Sequence, residues 1–329
     1  MRDVRTTYNK RLIISHIADV DGISAVILAK VHYDDKIDYG LVEFNELEDY
    51  LRMIVDDESY KQYDEIIITD VSFSQGALEI VDKNEELKRK IKHFDHHVSE
   101  KDQMEKYPFV NEVTELDGKK VCGTTLFYES IKNQFRYYSD FVRDYLQAVC
   151  DYDNGGPLCG NKFGVDLTTL FALIGIDLYM EKIQTAIEKR DYPFTDADYE
   201  LIHQEYRRKE EYIEECDKKL TRINIGNYKV GVSISESYRS DVGNFLSRRY
   251  KDELDFILIF NPMRESFSFR TVRDDVNCGQ IAKSLTPDGG GHPQAAGMPL
   301  NSKTIFILYE VLDAMKKKEE IKLERKQPQ

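Results

Sequence analysis

The chain contains 329 residues, of which 41% are hydrophobic and 32% are charged, and its formal net charge is −14. This length is sufficient for two domains with separate hydrophobic cores. The acidic balance argues against a protein that holds long nucleic acids through many phosphate contacts, and the apolar runs fall short of the ~18 residues that a membrane span needs.

The first half of the chain alternates between apolar runs and helical patterns. Residues 13–16, residues 64–70 and the run before Asp95 predict buried parallel strands, because their apolar side chains follow one another almost without interruption. The intervening elements are a strand over 37–44 and helices over 22–30, 45–55 and 75–84. This alternation predicts an α/β fold whose N-terminal domain is a doubly wound parallel sheet. Residues 98–121 are polar and predict an irregular loop, and helical patterns continue from 122 to about 190.

The second half begins with a long charged segment. Thr195 and Asp198 match a helix capping box, and the stretch that follows to Leu220 predicts one connector helix. Beyond it, the sequence predicts strands over 229–235, 254–260 and 265–271 and helices over 240–249 and 277–285. We therefore expect a catalytic domain over 1–190, a connector over 191–221, a smaller C-terminal α/β domain over 222–321 and a polar tail over 322–329.

Carboxylates and imidazoles follow the apolar runs at the points where they end. They are His16, Asp19, Asp21, Asp70, His96 and Asp151. Because an open parallel sheet binds ligands beyond the carboxyl ends of its strands, we expect these side chains to converge. Two imidazoles and four carboxylates suit two divalent ions, with Mn²⁺ first and Mg²⁺ second, and Asp70 is the carboxylate that would bridge them.

One of these positions is open on sequence grounds. Ala148 to Cys150, the apolar run before Asp151, is compatible with a strand or with the end of a helix. Asp153 competes with Asp151 as a ligand, and spacing does not choose between them, since Asp153 also precedes Asn154 in a pattern typical of a turn.

The order of these motifs resembles the DHH phosphoesterases. The resemblance rests on His16-x-x-Asp19-x-Asp21-Gly22, the strand ending at Asp70, the triplet Asp95-His96-His97 and a further Asp. Downstream, Ser268-Phe269-Arg270 and the run from Gly289 to Gly297 (GGGHPQAAG) resemble the DHH-associated C-terminal domain, so that the likeness spans roughly residues 10 to 300.

The resemblance implies a role for each of these residues. One metal ion would be held by His16, Asp19 and Asp70, and the other by Asp21, Asp70, His96 and Asp151. Asp95 would orient a ligand, and His97 would face the substrate phosphate or act as the general acid for the leaving oxygen. In the C-terminal domain, Arg270, Gly289, Gly290, Gly291 and His292 would hold the phosphate or terminal nucleotide of the substrate, and an arginine is suited to a two-pronged phosphate contact.

The family implies a metal-dependent phosphodiesterase that degrades short oligoribonucleotides to 5′-mononucleotides. The alternatives are a phosphodiesterase for cyclic or linear dinucleotides, a phosphatase for adenosine 3′,5′-bisphosphate, a single-strand DNA exonuclease of the RecJ type and a catalytically silent nucleotide-binding protein. The expected partners are therefore short RNA or DNA oligonucleotides or dinucleotides as substrate, with no membrane and no obligate protein partner, and a homodimer is possible.

A cytoplasmic location is expected on two grounds. The first ten residues lack the apolar core of a secretion signal. The five cysteines are odd in number and scattered without CxxC spacing, which suits a reducing compartment and argues against a zinc or disulfide scaffold.

Overall fold

The computed structural model describes residues 10–34, 36–97 and 106–324. The chain folds into two compact units, Met1–Ile202 and His203–Gln329, so that the division falls inside the long connector helix. This helix, which the sequence predicts over 195–220, covers Asp196–Lys218.

The first unit is built on a four-stranded parallel sheet. Its strands lie in the order β2-β1-β3-β4 and are all parallel. They are β1 (Arg11–His16), β2 (Ile37–Val42), β3 (Glu65–Thr69) and β4 (Ile91–Phe94). The carboxyl ends of β1, β3 and β4 therefore lie side by side, which confirms the predicted parallel sheet.

Helices cover both faces of this sheet. Ile13 and Ile67 point to one face, where they pack with α1 (Val20–His32), α5 (Gly123–Ile131), α6 (Asp140–Gly155) and α7 (Lys162–Lys189). Leu12, Ile14 and Ile66 point to the other face, which is covered by α2 (Leu47–Asp56), α3 (Gln75–Asp82) and α4 (Glu85–Lys90). Because successive strand residues face opposite sides, an apolar strand with no polar interruption requires helices on both.

Three details of the first unit differ from the prediction or complete it. The helix predicted over 75–84 is followed by a separate α4, since Asn84 starts a new helix by accepting a hydrogen bond from the Leu87 backbone N–H. The residues before Asp151 lie in α6, so the open choice between strand and helix is settled as helix. The polar segment predicted as an irregular loop over 98–121 contains a short hairpin, β5 (Glu115–Leu116) and β6 (Lys119–Lys120), while 98–105 lie outside the described residues.

Within the described residues, α7 alone is long and apolar enough to cross a membrane by length and composition. Gly175 interrupts it with a φ of 76° that is outside the helical range. Tyr179, Ile183 and Ile187 are buried against the sheet helices, so this part of α7 packs as a core helix of the first unit.

The second unit is built on a mixed six-stranded sheet. Its order is β11-β12-β10-β9-β8-β7, and all neighbours are antiparallel except β8 and β9. The strands are β7 (Thr221–Ile225), β8 (Tyr228–Ile234), β9 (Phe256–Asn261), β10 (Ser266–Arg270), β11 (Gly290–Gly291) and β12 (Ala295–Pro299). The helices are α8 (Asp196–Lys218), which the two units share, α9 (Arg239–Arg249), α10 (Cys278–Leu285) and α11 (Phe306–Glu324).

The glycine-rich run forms more regular structure than expected. The sequence predicts a loop there, but Gly290 and Gly291 pair with Gly297 and Ala296 as strands β11 and β12. α11 extends to Glu324, into the segment for which the sequence predicts a polar tail.

Candidate metal centre

Two of the expected metal ligands form a first group with Asp70 at the carboxyl end of β1. The ligand atoms of His16, Asp19 and Asp70 all lie within 4.8 Å of one another. His16 Nδ1 is 2.7 Å from Asp19 Oδ2 and 3.8 Å from Asp70 Oδ2. The hydrogen bond to Asp19 raises the pKa of His16. These three side chains therefore offer one nitrogen and two oxygen ligands to a single ion.

The start of α1 holds this group in place. Asp19 is the N-cap residue of the helix, and its side chain accepts a hydrogen bond from the Gly22 backbone N–H at 3.0 Å. A Cβ atom at Gly22 would lie 2.2 Å from the His16 carbonyl oxygen, so only glycine allows the helix to begin this close to the strand. Burial raises the pKa of Asp19, but the bonds from His16 and Gly22 outweigh it and lower that pKa below its usual range.

A second group lies across Asp70 from the first. It consists of Asp21, His96 and Asp153, whose ligand atoms are within 4.8 Å of one another. His96 Nε2 is 3.2 Å from Asp153 Oδ2 and 3.5 Å from Asp70 Oδ1. The two oxygens of Asp70 thus face different groups, which is the arrangement expected of a bridging carboxylate.

Asp21 is held by the start of another helix. Its carboxylate accepts hydrogen bonds from the backbone N–H groups of Gly123 at 2.7 Å and Thr124 at 3.0 Å, in the first turn of α5. Helix N-termini favour negative charge, because their first N–H groups have no partner within the helix. The start of α5 therefore keeps a buried carboxylate at the edge of the second group.

Asp70, which lies between the two groups, is almost fully enclosed. It is 3% exposed and has a φ of 55°, an uncommon backbone conformation for a residue with a side chain. A Cβ atom at Gly123 would lie 2.7 Å from Asp70 Cβ, so the helix start packs directly on it. Burial, followed by the charges of Asp21, Asp19 and Asp153, raises the pKa of Asp70 well above its usual value.

The side chains fit divalent cations. Asp70 Oδ2, His96 Nε2 and Asp153 Oδ2 are shielded from solvent and have no hydrogen-bond partner within the described part of the chain. A shielded polar atom without a hydrogen-bond partner lowers the stability of the folded state. The mutual repulsion of several carboxylates gathered in one place lowers it as well. Oxygen-rich sites with one imidazole each suit Mn²⁺ or Mg²⁺. A cation in each group would satisfy these atoms and neutralise the carboxylates together.

Asp95 and His97 form a hydrogen-bonded pair beside the two groups. Asp95 Oδ1 is 2.7 Å from His97 Nδ1 and accepts the His96 backbone N–H at 2.9 Å. Ser72 Oγ donates to Asp95 Oδ2 at 2.6 Å. Burial raises the pKa of Asp95, but the bond from His97 and the other favourable contacts outweigh it and lower that pKa to about 2. The ionised Asp95 in turn raises the pKa of His97.

Asp151 lies apart from the group in which it was expected. Its carboxylate accepts hydrogen bonds from Gln147 Nε2 and Asn161 Nδ2, each at 2.7 Å. Asp153 instead contacts His96. Since 151 and 153 are two residues apart on α6, they point to sides of the helix about 200° apart. Of the two candidates that the sequence leaves open, Asp153 and not Asp151 therefore lies with Asp21 and His96.

The expected substrate residues of the second unit cluster around the end of β10. Arg270 donates to the Phe269 carbonyl at 2.8 Å and to Ser240 Oγ at 3.2 Å, and burial lowers the pKa of its guanidinium. The His292 backbone N–H bonds to the Ala295 carbonyl at 2.8 Å. A Cβ atom at Gly279 would lie 2.2 Å from the Gly291 carbonyl oxygen, so α10 begins directly against the glycine run.

Residues 10–150 match the DHH family, N-terminal domain. This part of the chain is a DHH-family domain. The matched range contains the first group, Asp21, His96 and the Asp95-His96-His97 triplet, while Asp153 lies three residues beyond it.

The chain is also similar to known proteins in sequence and in fold. The chain is 26% identical over 291 residues to Oligoribonuclease NrnB of Bacillus subtilis (strain 168), covering 87% of this chain and 72% of the relative. A crystal structure of exonuclease RecJ bound to manganese matches with a TM-score of 0.55 and 11% identity, covering 93% of this chain and 90% of that one. RecJ from Thermus thermophilus in complex with Mn²⁺ has a TM-score of 0.49 at 15% identity, covering 91% of this chain and 50% of that one. At 11% identity, the first RecJ likeness shows the α/β fold alone.

Several supporting residues of the DHH domain escaped the sequence reasoning. Gly123 and Thr124 hold Asp21, Ser72 holds Asp95, and Glu43 Oε2 lies 3.7 Å from His16 Nε2. A helix that starts with Gly-Thr-Thr, as at Gly123, indicates an N-terminus that can bind an anion. The sequence does not indicate which anion, because the carboxylate bound here, that of Asp21, lies about a hundred residues earlier in the chain.

When no metal is bound, the free energy of unfolding of the DHH domain should depend on pH. Burial, then the Asp21 and Asp19 charges, raises the pKa of Asp153 to about 7. An unfolded Asp titrates near 3.9, so between these values the native state binds more protons and the free energy of unfolding falls as pH rises. Each unit of difference in pKa corresponds to about 1.36 kcal/mol, so Asp153 can lower the free energy of unfolding by roughly 4 kcal/mol at most.

We expect Asp153→Asn to remove this part of the pH dependence. In EDTA at pH 8, the variant should be more stable than the wild type by about 1–3 kcal/mol, with a smaller difference at pH 5. Urea denaturation at both pH values measures this. Parallel pH profiles for the two proteins would contradict the assignment of the raised pKa to Asp153.

Proposed function

We propose that this protein is a metal-dependent phosphodiesterase that degrades short oligonucleotides, and oligoribonucleotides in particular, to 5′-mononucleotides. The observation that carries the proposal is the pair of ligand groups that flank Asp70, one toward each of its carboxylate oxygens, with three shielded atoms that lack a hydrogen-bond partner among the described residues. The DHH-family match and the relative named oligoribonuclease support a phosphodiester substrate. A cytoplasmic location is part of the same proposal and is supported by the five unpaired cysteine thiols.

Two divalent ions, Mn²⁺ in preference to Mg²⁺, are the proposed cofactors. His16, Asp19 and Asp70 would hold one ion, and Asp70, Asp21, His96 and Asp153 would hold the other. Ions held by these residues would supply a lowered water pKa, so that hydroxide is available near neutral pH, and positive charge that offsets the phosphate. The RecJ structure with the TM-score of 0.55 is one bound to manganese, which is consistent with this choice.

His97 is the proposed contact to the reacting phosphate. Its Nδ1 atom is engaged by Asp95, so Nε2 is the ring atom that would meet the substrate. Ser72 and the His96 backbone N–H fix the Asp95 carboxylate, which orients the imidazole. The ionised Asp95 favours a protonated His97, which can bind a phosphate oxygen or give its proton to the leaving oxygen.

Arg270 and His292 are proposed to bind the substrate through its phosphate or terminal nucleotide. Residues 222–300 contain ten Lys or Arg and nine Asp or Glu, a net charge of +1, which leaves −15 for the rest of the chain. An anionic substrate therefore meets less repulsion in this region. The Arg270 guanidinium is partly buried and donates hydrogen bonds to a carbonyl and a hydroxyl oxygen. It can therefore bind a phosphate without first breaking an ion pair to either of these partners.

We expect turnover to be highest on oligomers of roughly two to five nucleotides. A chain with a net charge of −14 lacks the excess of cations needed to follow a long strand. The salt dependence of kcat/KM should correspond to about two or three phosphate contacts at a slope near −0.7 per contact. The measurement uses 5′-labelled RNAs and DNAs of two to twenty-four nucleotides with Mn²⁺ at several salt concentrations. A steady rise in kcat/KM toward the longest strands with a steep salt slope would contradict the proposal.

The two neighbouring acids of α6 provide a matched pair of variants. We expect Asp153→Asn to weaken Mn²⁺ binding at one site and to lower kcat by about 100-fold, because the second group loses one of its negatively charged ligands. Asp151→Asn should keep both ions and most activity, since its carboxylate bonds only to amides. Isothermal titration with Mn²⁺ and a dinucleotide assay test both variants. If Asp151→Asn instead loses more Mn²⁺ affinity and more activity than Asp153→Asn, Asp151 is the ligand.

Arg270→Ala should separate substrate binding from metal binding. We expect the variant to keep its Mn²⁺ content and to lose about 10-fold to 100-fold in kcat/KM, the range for loss of one charge-assisted contact of about 1.5–3 kcal/mol. His292→Ala should likewise keep its Mn²⁺ content and lower kcat/KM. Elemental analysis and steady-state kinetics on one dinucleotide measure the two effects, and loss of metal from either variant would refute this division of roles.

A further inference from the structure

Phe44 is an exposed aromatic residue at the edge of the sheet that carries the metal centre. Its side chain is 74% exposed, the highest value for a large hydrophobic residue in the described part of the first unit. It follows the carboxyl end of β2 by two residues and precedes α2. Single exposed apolar residues are common on protein surfaces, so exposure alone assigns nothing.

The position of Phe44 separates it from an ordinary surface residue. The Ile17 backbone N–H bonds to the Val42 carbonyl at 3.0 Å, which ties the end of β2 to the loop that carries Asp19. Glu43, the residue before Phe44, places its Oε2 atom 3.7 Å from His16 Nε2. Phe44 thus directly follows the residue whose carboxylate borders the first ligand group, and we call this edge, Glu43 and Phe44, the rim.

The chemistry of this rim limits which part of a nucleotide it can hold. The side chains around the first group are one imidazole and several carboxylates, and the carboxylates repel a phosphate wherever no cation intervenes. A phenyl ring, in contrast, offers an uncharged face on which any nucleobase can stack. The rim is thus suited to a base and unsuited to a further phosphate.

We propose that Phe44 is a specificity-determining residue on which the nucleobase next to the reacting phosphate stacks. The inference rests on the proposed function and adds that the site selects substrates that carry a base at this position. Because every base has an aromatic face, Phe44 would favour nucleotides over other phosphodiesters without favouring one sequence.

The test compares Phe44→Ala with the wild type on two substrates. One is a dinucleotide, and the other is the same dinucleotide with the base beside the reacting phosphate replaced by hydrogen. For Phe44→Ala we expect kcat/KM on the normal dinucleotide to fall about 10-fold to 100-fold, the effect of losing one base–aromatic stack. On the base-lacking substrate, wild type and variant should be equal. Equal losses on both substrates, or no loss on either, would overturn the proposal.

Tyr138 provides the matched control. It is 55% exposed and precedes the first turn of α6, whereas Asp153 lies in the last, so the helix separates them by roughly 20 Å. Tyr138→Ala should leave both substrates unaffected. Phe44→Trp should restore selectivity for the base, which a purely structural role for phenylalanine would not require.

A binding measurement separates this proposal from the proposed function. The probe is a dinucleotide that contains 2-aminopurine and a methylene group in place of the bridging oxygen, so that it cannot be cleaved. Stacking on Phe44 should quench its fluorescence in the wild type and in Tyr138→Ala but not in Phe44→Ala. If the wild type binds the probe in this way but cleaves no nucleotide, the proposed function fails, while the stacking of a base on Phe44 stands as a binding contact. If cleavage occurs and the quenching does not depend on Phe44, only the Phe44 assignment fails.

Discussion

The burial of Asp70 among other carboxylates is the constraint on which the first unit depends. Its side chain is almost fully enclosed, its backbone has a positive φ, and the charges of Asp21, Asp19 and Asp153 act on it. Gathering carboxylates in this way is unfavourable unless protons or cations compensate them. The two ligand groups that flank Asp70 offer places for such cations, one toward each of its carboxylate oxygens.

Much of the surrounding structure serves to hold these carboxylates. The first turns of α1 and α5 donate backbone N–H groups to Asp19 and Asp21, which supplies partial positive charge without a competing cation. Gly22 and Gly123 are positions where a Cβ atom would collide with His16 or Asp70. The parallel sheet supplies the rest, since the carboxyl ends of three adjacent strands bring residues that are distant in sequence to one edge.

The sequence predicted those parts of the fold and site that depend on local pattern. Apolar runs such as Ile66 to Ile68 identify buried parallel strands, and a His or Asp directly after such a run belongs to the carboxyl edge whatever the rest of the fold. Asp151 and Asp153 differ because they lie on a helix, where the rotation set by distant packing partners decides which of them faces His96. The contacts of Asp21 with Gly123 and of His16 with Glu43 likewise arise from tertiary packing and have no local signature.

The central claim is that Asp70 bridges two divalent ions, and metal stoichiometry tests it most directly. Equilibrium dialysis against Mn²⁺ followed by elemental analysis should give two ions per wild-type chain. In Asp70→Asn both ions should be lost or bound far more weakly, while the metal-free variant should be more stable than the metal-free wild type at pH 8, because a buried charge has been removed. An Asp70→Asn protein that binds two Mn²⁺ ions with unchanged affinity would contradict the account.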